Sequence, residues 1–185
     1  HCSVYLGLYI ILLFQIIPQI NEQHYIRMPR TELLKKEICS ALFCSLIFTA
    51  VFTGVHFLML VRKVGVSIIF QYDFGIAWGL NYIRMSEIYF IFGLLYILFE
   101  IILSSQRLAV LGAIAAAVLW VFSGKYLGIT KLYSDFAVYD SFYSKTGLDV
   151  IGYMSEFFRH CMIILCLIYV SITMFERKDI LNDKR

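Results

Sequence analysis

The sequence predicts an all-α fold, a bundle of helices that crosses a membrane several times, and two observations support this prediction. Hydrophobic residues make up 61% of the chain and charged residues only 16%, with a mean hydropathy of +0.78. A soluble domain has roughly 45–50% apolar and about 25% charged residues. Apolar runs of about 20 residues, the length that crosses a bilayer as a helix, also recur along the chain. We therefore interpret 1–185 as a single transmembrane domain.

Five apolar runs are long enough to be transmembrane helices: 3–20, 38–61, 87–103, 108–127 and 157–175. The first has Pro18 close to its end, and the second contains no Asp, Glu, Lys or Arg. The third contains Glu100 in its second half. The fourth is rich in Gly and Ala between 112 and 117, which lets neighbouring helices approach closely.

Lys and Arg are unevenly distributed, and the positive-inside rule converts that distribution into an orientation. If the connection 21–37 is cytoplasmic, nine of the sixteen basic residues lie on that side: Arg27, Arg30, Lys35, Lys36, Arg107, Arg177, Lys178, Lys184 and Arg185. The C-terminal tail, 176–185, is then cytoplasmic and residue 1 lies outside. Because the chain starts with His and not Met, we expect a preceding span, and six spans in the intact protein. The net charge of +3 is too small to favour nucleic acid as a partner.

Two longer connections are expected on the outer side. The connection 64–82 is half apolar, but Gln71, Asp73 and Asn81 argue against full insertion, so we expect a surface or partly re-entrant segment. The connection 130–156 combines many aromatic residues with interspersed acids, which is typical of short helices at the membrane interface. We expect this second connection to cap the outer mouth of the bundle.

No motif for hydrolysis, metal binding or redox chemistry occurs in the chain. It has no glycine-rich phosphate loop, no HExxH and no GxSxG, and its five cysteines form no CxxC pair. We therefore expect no catalytic residue, no metal site and no cofactor. One alternative remains open, because the adjacent His160 and Cys161 suggest a membrane cysteine peptidase that matures a signalling peptide. Against it, adjacent residues of a helix point about 100° apart.

Polar residues recur at helical spacing in two of the spans. In the second span they are Ser45, Thr49, Thr53 and His56, and in the third they are Tyr89, Gly93, Tyr96, Glu100 and Ser104. A charge near mid-membrane costs about 2.5–3.5 kcal/mol, so Glu100 is expected to face protein or a water-filled cavity, where it binds a cation or relays protons. The alternative is that Glu100 lies near the inner end and pairs with Arg107. The Ser and Thr hydroxyls commonly bond back to their own helix instead.

The most informative charged segment is 24–37, between the first two spans. Interpreted as a helix from Arg30 onward, with Pro29 suited to its first turn, it separates apolar from polar side chains. The apolar strip is Leu33, Leu34 and Ile38, and the side expected in water is Arg30, Lys35, Lys36 and Glu37. Two interpretations remain open: an ordinary basic loop against lipid headgroups, or a docking element for a cytosolic motor.

Three patterns of the chain are informative in combination. They are the run Tyr25-Ile26-Arg27-Met28-Pro29-Arg30 leading through Lys35-Lys36 into a long span, the aromatic connection before the last span, and the ending Phe175-Glu176-Arg177-Lys178-Asp179-Ile180-Leu181. Together they resemble the membrane subunits of type-2 ABC exporters, particularly the small six-span permeases of bacterial peptide, bacteriocin and lantibiotic export or immunity systems. The resemblance covers nearly the whole chain.

The resemblance implies a transporter subunit and not an enzyme, with ATP and Mg²⁺ bound by a separate cytosolic ATPase dimer. The segment that couples to the ATPase corresponds to Arg27, Pro29, Arg30, Thr31, Glu32, Leu33, Leu34, Lys35 and Lys36. A second permease subunit, a bacterial plasma membrane and an amphipathic substrate, most simply a peptide, are implied as well. We expect the substrate path or subunit interface at Ser45, Thr49, Thr53, Tyr96 and Glu100. A non-transporting immunity protein remains the other alternative.

Overall fold

The computed structural model describes residues 2–17, 30–67, 74–126, 143–144, 147–148 and 150–182. Within them the chain forms five α-helices and two very short strands. The helices are α1 (Cys2–Ile16), α2 (Arg30–Val64), α3 (Phe74–Leu103), α4 (Gln106–Tyr126) and α5 (Val150–Asn182), and the strands are β1 (Tyr143–Ser144) and β2 (Gly147–Leu148). The two strands pair in the antiparallel sense, with Tyr143 opposite Leu148.

Four of these helices are long and apolar enough to cross a membrane: Glu32–Lys63 in α2, Phe74–Leu103 in α3, Gln106–Ser123 in α4 and Ile151–Arg177 in α5. The predicted all-α transmembrane bundle is therefore confirmed. The first of the five predicted spans is described as α1, which has 15 residues. At about 1.5 Å per residue it rises about 22 Å, less than the roughly 30 Å of the hydrocarbon core.

Helices α3 and α5 begin earlier than the apolar runs predicted. Because α3 starts at Phe74, 74–82 belongs to the same long apolar helix as the predicted third span and is not a separate segment. Because α5 starts at Val150 and ends at Asn182, it includes 150–156 and 176–182. Two polar groups in the added first turns contact protein: Asn81 is buried, and Glu156 pairs with Arg84. Of the expected interfacial helices, 130–142 lies outside the described residues.

Helix α3 lies at the centre of the bundle and packs against the other four helices. Helix α2 runs antiparallel to it, because Phe57 near the end of α2 contacts Trp78 near the start of α3. Further along, the rings of Phe48 and Tyr89 have centroids 5.0 Å apart. Helix α4 is antiparallel to α3 as well, since only two residues separate the end of one from the start of the other.

Helix α5 runs parallel to α3. The Tyr153 hydroxyl donates to the carbonyl of Leu80, and about one turn later on both helices Glu156 meets Arg84. These directions group the helix ends at two levels, which we name the Glu100 end and the Arg84 end after residues of α3. The Glu100 end holds the start of α2 and α4 and the end of α1, α3 and α5. Sixteen residues separate Arg84 from Glu100, about 24 Å along the helix axis.

A glycine of α3 permits the close approach of α1 and α2. A Cβ atom at Gly93 would lie 3.0 Å from the Tyr9 hydroxyl and 3.2 Å from the Cβ of Ala41. The same hydroxyl donates to the carbonyl of Ala41 over 3.2 Å, and the Tyr9 ring lies 5.1 Å from the ring of Tyr89, measured between centroids. Three helices therefore meet at Gly93, and a larger residue there would separate them.

Candidate functional site

The start of α2 holds the predicted docking segment. Helix α2 begins at Arg30, as predicted for the basic stretch. Its side chains divide into two sides: Leu34 is buried, Leu33 and Ile38 are half-buried, and Glu32, Lys35 and Lys36 are exposed. The remaining predicted positions have no described side chain, because Arg27 and Pro29 lie outside the described residues and Arg30 and Thr31 are described as helical backbone.

Glu37 contradicts the prediction that it stays in water, because only 6% of its surface is exposed. It follows Leu34 by three residues and precedes Ala41 by four, so it shares the helix face that packs into the bundle. The sequence pattern predicted that Glu37 faces water, because it directly follows two lysines. The burial of Glu37 brings a carboxyl group into contact range of α3.

Two residues of α3 lie near Glu37, and both are buried. Glu100 is 8% exposed and Tyr96 is 0% exposed. Because Ala41 packs against Gly93 and the two helices are antiparallel, Glu37, one turn before Ala41, lies level with the part of α3 that holds Tyr96 and Glu100. The Tyr96 hydroxyl is buried and has no partner within hydrogen-bond distance in the described part of the chain. We refer to Glu37, Tyr96 and Glu100 as the carboxyl cluster.

The turn between α3 and α4 closes the bundle beside this cluster. Ser104 has a left-handed backbone conformation, with φ of 53°, and its N–H donates to the carbonyl of Glu100 at 3.0 Å. The side-chain amide of Gln106 donates to the carbonyl of Ile17 at 3.4 Å and so joins the start of α4 to the end of α1. Arg107, the other partner considered for Glu100, is exposed, whereas Glu100 is buried inside protein.

The Ser and Thr side chains that recur along α2 face the interior of the bundle. Ser45, Thr49 and Thr53 are all buried. Each donates to a carbonyl of its own helix at 2.7 Å: Ser45 to Leu42, Thr49 to Ser45 and Thr53 to Thr49. These bonds agree with the alternative interpretation, in which such hydroxyls donate hydrogen bonds to backbone carbonyls of their own helix. A substrate could reach these three side chains only after α2 had moved away from its neighbours.

A second polar cluster, which the sequence did not predict, lies between α3 and α5 at the Arg84 end. Nη2 of Arg84 lies 2.6 Å from Oε2 of Glu156, and Nδ1 of His160 lies 2.9 Å from Oε2 of Glu87. Arg84 and His160 are each 1% exposed. We refer to these four residues as the α3–α5 ion-pair cluster.

The sequence did contain a signal for this cluster. Arg84 and Glu87 are three residues apart and Glu156 and His160 are four apart, spacings that put each pair on one face of a helix. The signal was missed because each pair was divided: Arg84 and Glu156 precede the predicted spans and were attributed to loops, whereas Glu87 and His160 lie inside the spans 87–103 and 157–175. Opposite charges at such spacing beside an apolar run can instead indicate two helices that pair through their polar faces.

The residues proposed for a peptidase are separated by this arrangement. His160 is directed from α5 towards Glu87 on α3, while its neighbour Cys161 is only half-buried. The described cysteines other than Cys2 are free: Cys39, Cys44, Cys161 and Cys166. Among the described residues, no group of three or more His, Cys, Asp or Glu side chains could hold a metal ion. The geometry thus gives no support to a cysteine–histidine pair at 160–161.

An apolar groove of about 220 Å³ opens sideways between α1 and α2, toward the Arg84 end. Its lining is Tyr5, Leu8, Phe48, Val51, Phe52, Val55 and His56. His56 contributes Nδ1, 3.0 Å from the carbonyl of Phe52, so its ring is held against α2. The groove offers apolar walls to an acyl chain or another apolar group of a membrane molecule.

Comparison with known proteins found no matching family model, no matching curated protein and no matching solved structure.

Proposed function

We propose that this chain is the membrane subunit of an ATP-driven exporter, in which a separate cytosolic ATPase dimer supplies the energy. The observation that supports the proposal best is the start of α2. There, exposed Lys35 and Lys36 lie on a helix that continues without a break into a membrane span, with Leu34 and Glu37 buried on its other side. A partner that binds the exposed side can therefore move a transmembrane helix directly.

The path for that movement follows from the packing of α2 on α3. Glu37 is buried near the Glu100 end, and Ala41, one turn further along α2, packs close to Gly93 of α3. Because α3 packs against all the other helices, a push on the first turns of α2 is passed to the centre of the bundle. The substrate we propose is an amphipathic molecule, most simply a peptide, taken from the inner leaflet and released outside.

The proposed orientation puts the Glu100 end in the cytosol of a bacterial cell, with the C-terminus inside. Lys35, Lys36, Arg107 and Arg177 are exposed at this end. At the Arg84 end, Arg62 and Lys63 are exposed, Arg159 is half-buried and Arg84 is buried. The positive-inside rule favours the more basic end as cytoplasmic. A docking surface for an ATPase has to lie on that side.

A second permease subunit, identical or related, completes the proposed exporter. An ATPase dimer with two-fold symmetry presents two docking sites, so it requires two membrane subunits. In this proposal Ser45, Thr49, Thr53, Tyr96 and Glu100 become accessible to substrate when α2 separates from α3. The burial of these side chains in a single chain corresponds to a closed state of the path.

The test is copurification of the chain from its own membranes in detergent, with identification of the bound proteins and assay of ATP hydrolysis. The variant Lys35→Glu, Lys36→Glu reverses charge on the exposed side of the docking segment. Its matched control, Arg62→Glu, Lys63→Glu, makes the same change at the opposite end of the same helix. We expect a bound ATPase with the wild type and the control, and its loss or uncoupling in the docking variant.

Two results contradict the proposal in different ways. If no ATPase is recovered with any of the three proteins, the exporter assignment fails, and an immunity protein that binds without transporting becomes the better explanation. If the control loses the ATPase and the docking variant retains it, the orientation is reversed and α2 docks through its other end.

A further inference from the structure

The apolar groove between α1 and α2 runs along one half of a membrane-spanning helix. Its α2 wall extends from Phe48 to His56 at the spacing of a single helix face, a rise of about 12 Å. The membrane-spanning stretch of α2 is Glu32–Lys63, so its midpoint lies just before Phe48. With that midpoint at the centre of the bilayer, the groove lies within the leaflet at the Arg84 end, because each leaflet contributes about 15 Å of hydrocarbon.

Two basic side chains continue the face of the groove towards that end of the helix. Arg62 follows the lining residue Val55 by seven residues, and Lys63 follows the lining residue His56 by seven. Seven residues are two helical turns, so both basic residues lie on the face of the groove, and both are exposed. They are about 22 Å from the midpoint of the span, which is the depth of the lipid headgroups.

The charge at this end of the groove has one sign on the two helices that form it. Helix α1 contains no Asp, Glu, Lys or Arg, and α2 contains no Asp or Glu after Glu37. The groove is therefore apolar at the depth of the acyl chains and positive at the depth of the headgroups. This distribution is complementary to an anionic lipid.

The walls of the groove are fixed from both helices. The ring of Tyr5 on α1 meets the ring of Phe52 on α2 edge to face, with centroids 4.6 Å apart. The His56 ring is held against α2 by the contact of its Nδ1 with the carbonyl of Phe52. A preformed site loses less entropy when it binds a ligand than a site that has to be ordered first.

We propose that this groove binds one acyl chain of an anionic phospholipid, whose phosphate headgroup is bound by Arg62 and Lys63. The volume of about 220 Å³ favours a lipid chain, since pockets for drug-sized ligands have about 300–1,000 Å³. A bound chain would contact α1 and α2 at the same time and join them in this leaflet. The lipid site goes beyond the proposed exporter function and does not depend on it.

The test is native mass spectrometry of the delipidated chain in detergent, without any ATPase. Phosphatidylglycerol and phosphatidylcholine with identical acyl chains are added in separate titrations. The first pair of variants addresses the headgroup. Arg62→Gln, Lys63→Gln removes the two charges beside the groove, and Arg107→Gln, Arg177→Gln removes two exposed charges at the opposite end of the bundle.

The second pair of variants addresses the acyl chain. Val51→Trp, Val55→Trp fills the groove from two lining positions, whose side chains are 62% and 45% exposed and so leave room for the indole rings. The matched control is Ile47→Trp, Ala50→Trp. These two residues of α2 are exposed as well, but they do not line the groove.

We expect the wild type to bind the first phosphatidylglycerol at least about fivefold more tightly than phosphatidylcholine, the factor that one basic residue near a membrane surface contributes. The Arg62, Lys63 variant is expected to lose this preference and the Arg107, Arg177 control to retain it. The groove-filling variant is expected to lose the tight phosphatidylglycerol, and its control to keep it.

Three results would overturn the proposal. The first is equal affinity of the wild type for the two lipids, and the second is an equal effect of a variant and its control in either pair. The third is a dimer of the lipid-free wild type that disappears when the groove is filled, because a second copy of the chain would then be the occupant. If the groove-filling variant does not fold, the headgroup pair and the wild-type lipid preference decide.

Discussion

Arg84 and Glu156 join α3 to α5 through a contact of 2.6 Å between Nη2 and Oε2, and the side chain of Arg84 is almost completely buried there. About one turn along, His160 and Glu87 make a second polar contact between the same two helices. Helix α3 is the principal neighbour of α5, whose transmembrane part is otherwise mostly exposed. The attachment of α5 therefore depends on these polar pairs as well as on apolar packing.

Removing one member of the Arg84–Glu156 pair is expected to destabilise the protein strongly. The variant Glu156→Met leaves the buried guanidinium without this carboxylate, which costs about 3–5 kcal/mol for buried pairs in general. We expect a clearly lower unfolding temperature in detergent, measured by thermal denaturation.

The double variant Arg84→Met, Glu156→Met is the informative comparison for this pair. Removing both charges avoids a buried guanidinium that has lost its Glu156 carboxylate, so the double variant is expected to be more stable than Glu156→Met alone. Equal losses in the single and double variants would show that the two side chains are not energetically coupled.

A larger residue at Gly93 is expected to separate α3 from α1 and α2. In Gly93→Val the new side chain meets the Tyr9 hydroxyl and the Cβ of Ala41. These two atoms lie only 3.0 and 3.2 Å from the position that a Cβ atom at residue 93 would take. Overpacking of this kind costs about 1–3 kcal/mol. The matched control is Gly54→Val in α2, where no atom lies within 4 Å of an added Cβ.

Both glycines lie inside helices, so the intrinsic helix preference of valine contributes equally to the two variants. The difference in unfolding temperature between them therefore reports packing at Gly93. A control that is as unstable as Gly93→Val would mean that the close approach of three helices at Gly93 contributes little.

Loss of the Cys161 thiol is expected to leave function intact. Cys161 is a half-buried small residue of α5, so if the proposed exporter function is correct, Cys161→Ala is expected to retain ATPase binding and ATP-dependent release of substrate. Reconstituted proteoliposomes, with the partner ATPase identified by copurification, provide the measurement. A peptidase would behave in the opposite way: the variant would stop cleaving its peptide while ATP hydrolysis in the sample stayed the same.

The orientation of α2 can be tested with single cysteines at its two exposed basic ends. In a background where all natural cysteines are replaced by alanine, Lys35→Cys is expected to react with a membrane-impermeant maleimide only after the cells are permeabilised. Lys63→Cys is expected to react in intact cells, because it lies at the opposite end of the helix. The reverse labelling pattern would put the Arg84 end in the cytosol.

The sequence predicted those parts of the structure that depend on one helix at a time. Apolar runs give the membrane spans, and the apolar strip before Ile38 gives the helix start at Arg30, because both follow from local patterns. The burial of Leu34 follows from the same helical period.

The parts that depend on contacts between helices were missed. Glu37 follows two lysines in sequence, and its burial is explained by the packing of α2 on α3, which brings Ala41 close to Gly93 one turn further along. The early start of α5 likewise depends on Arg84, which pairs with Glu156 from another part of the chain. A single sequence does not show which charged residues will meet across a helix contact, and these residues therefore resembled loop residues.

The short turn at Ser104 determines which parts of the bundle can move. Two residues, Ser104 and Ser105, separate α3 from α4, and the left-handed backbone of Ser104 is bonded back to Glu100. So short a link prevents these two helices from sliding along each other by more than a few ångströms, as its contour length dictates. Helices α3 and α4 are thus expected to keep their relative position and to move as one unit, whatever the other described helices do.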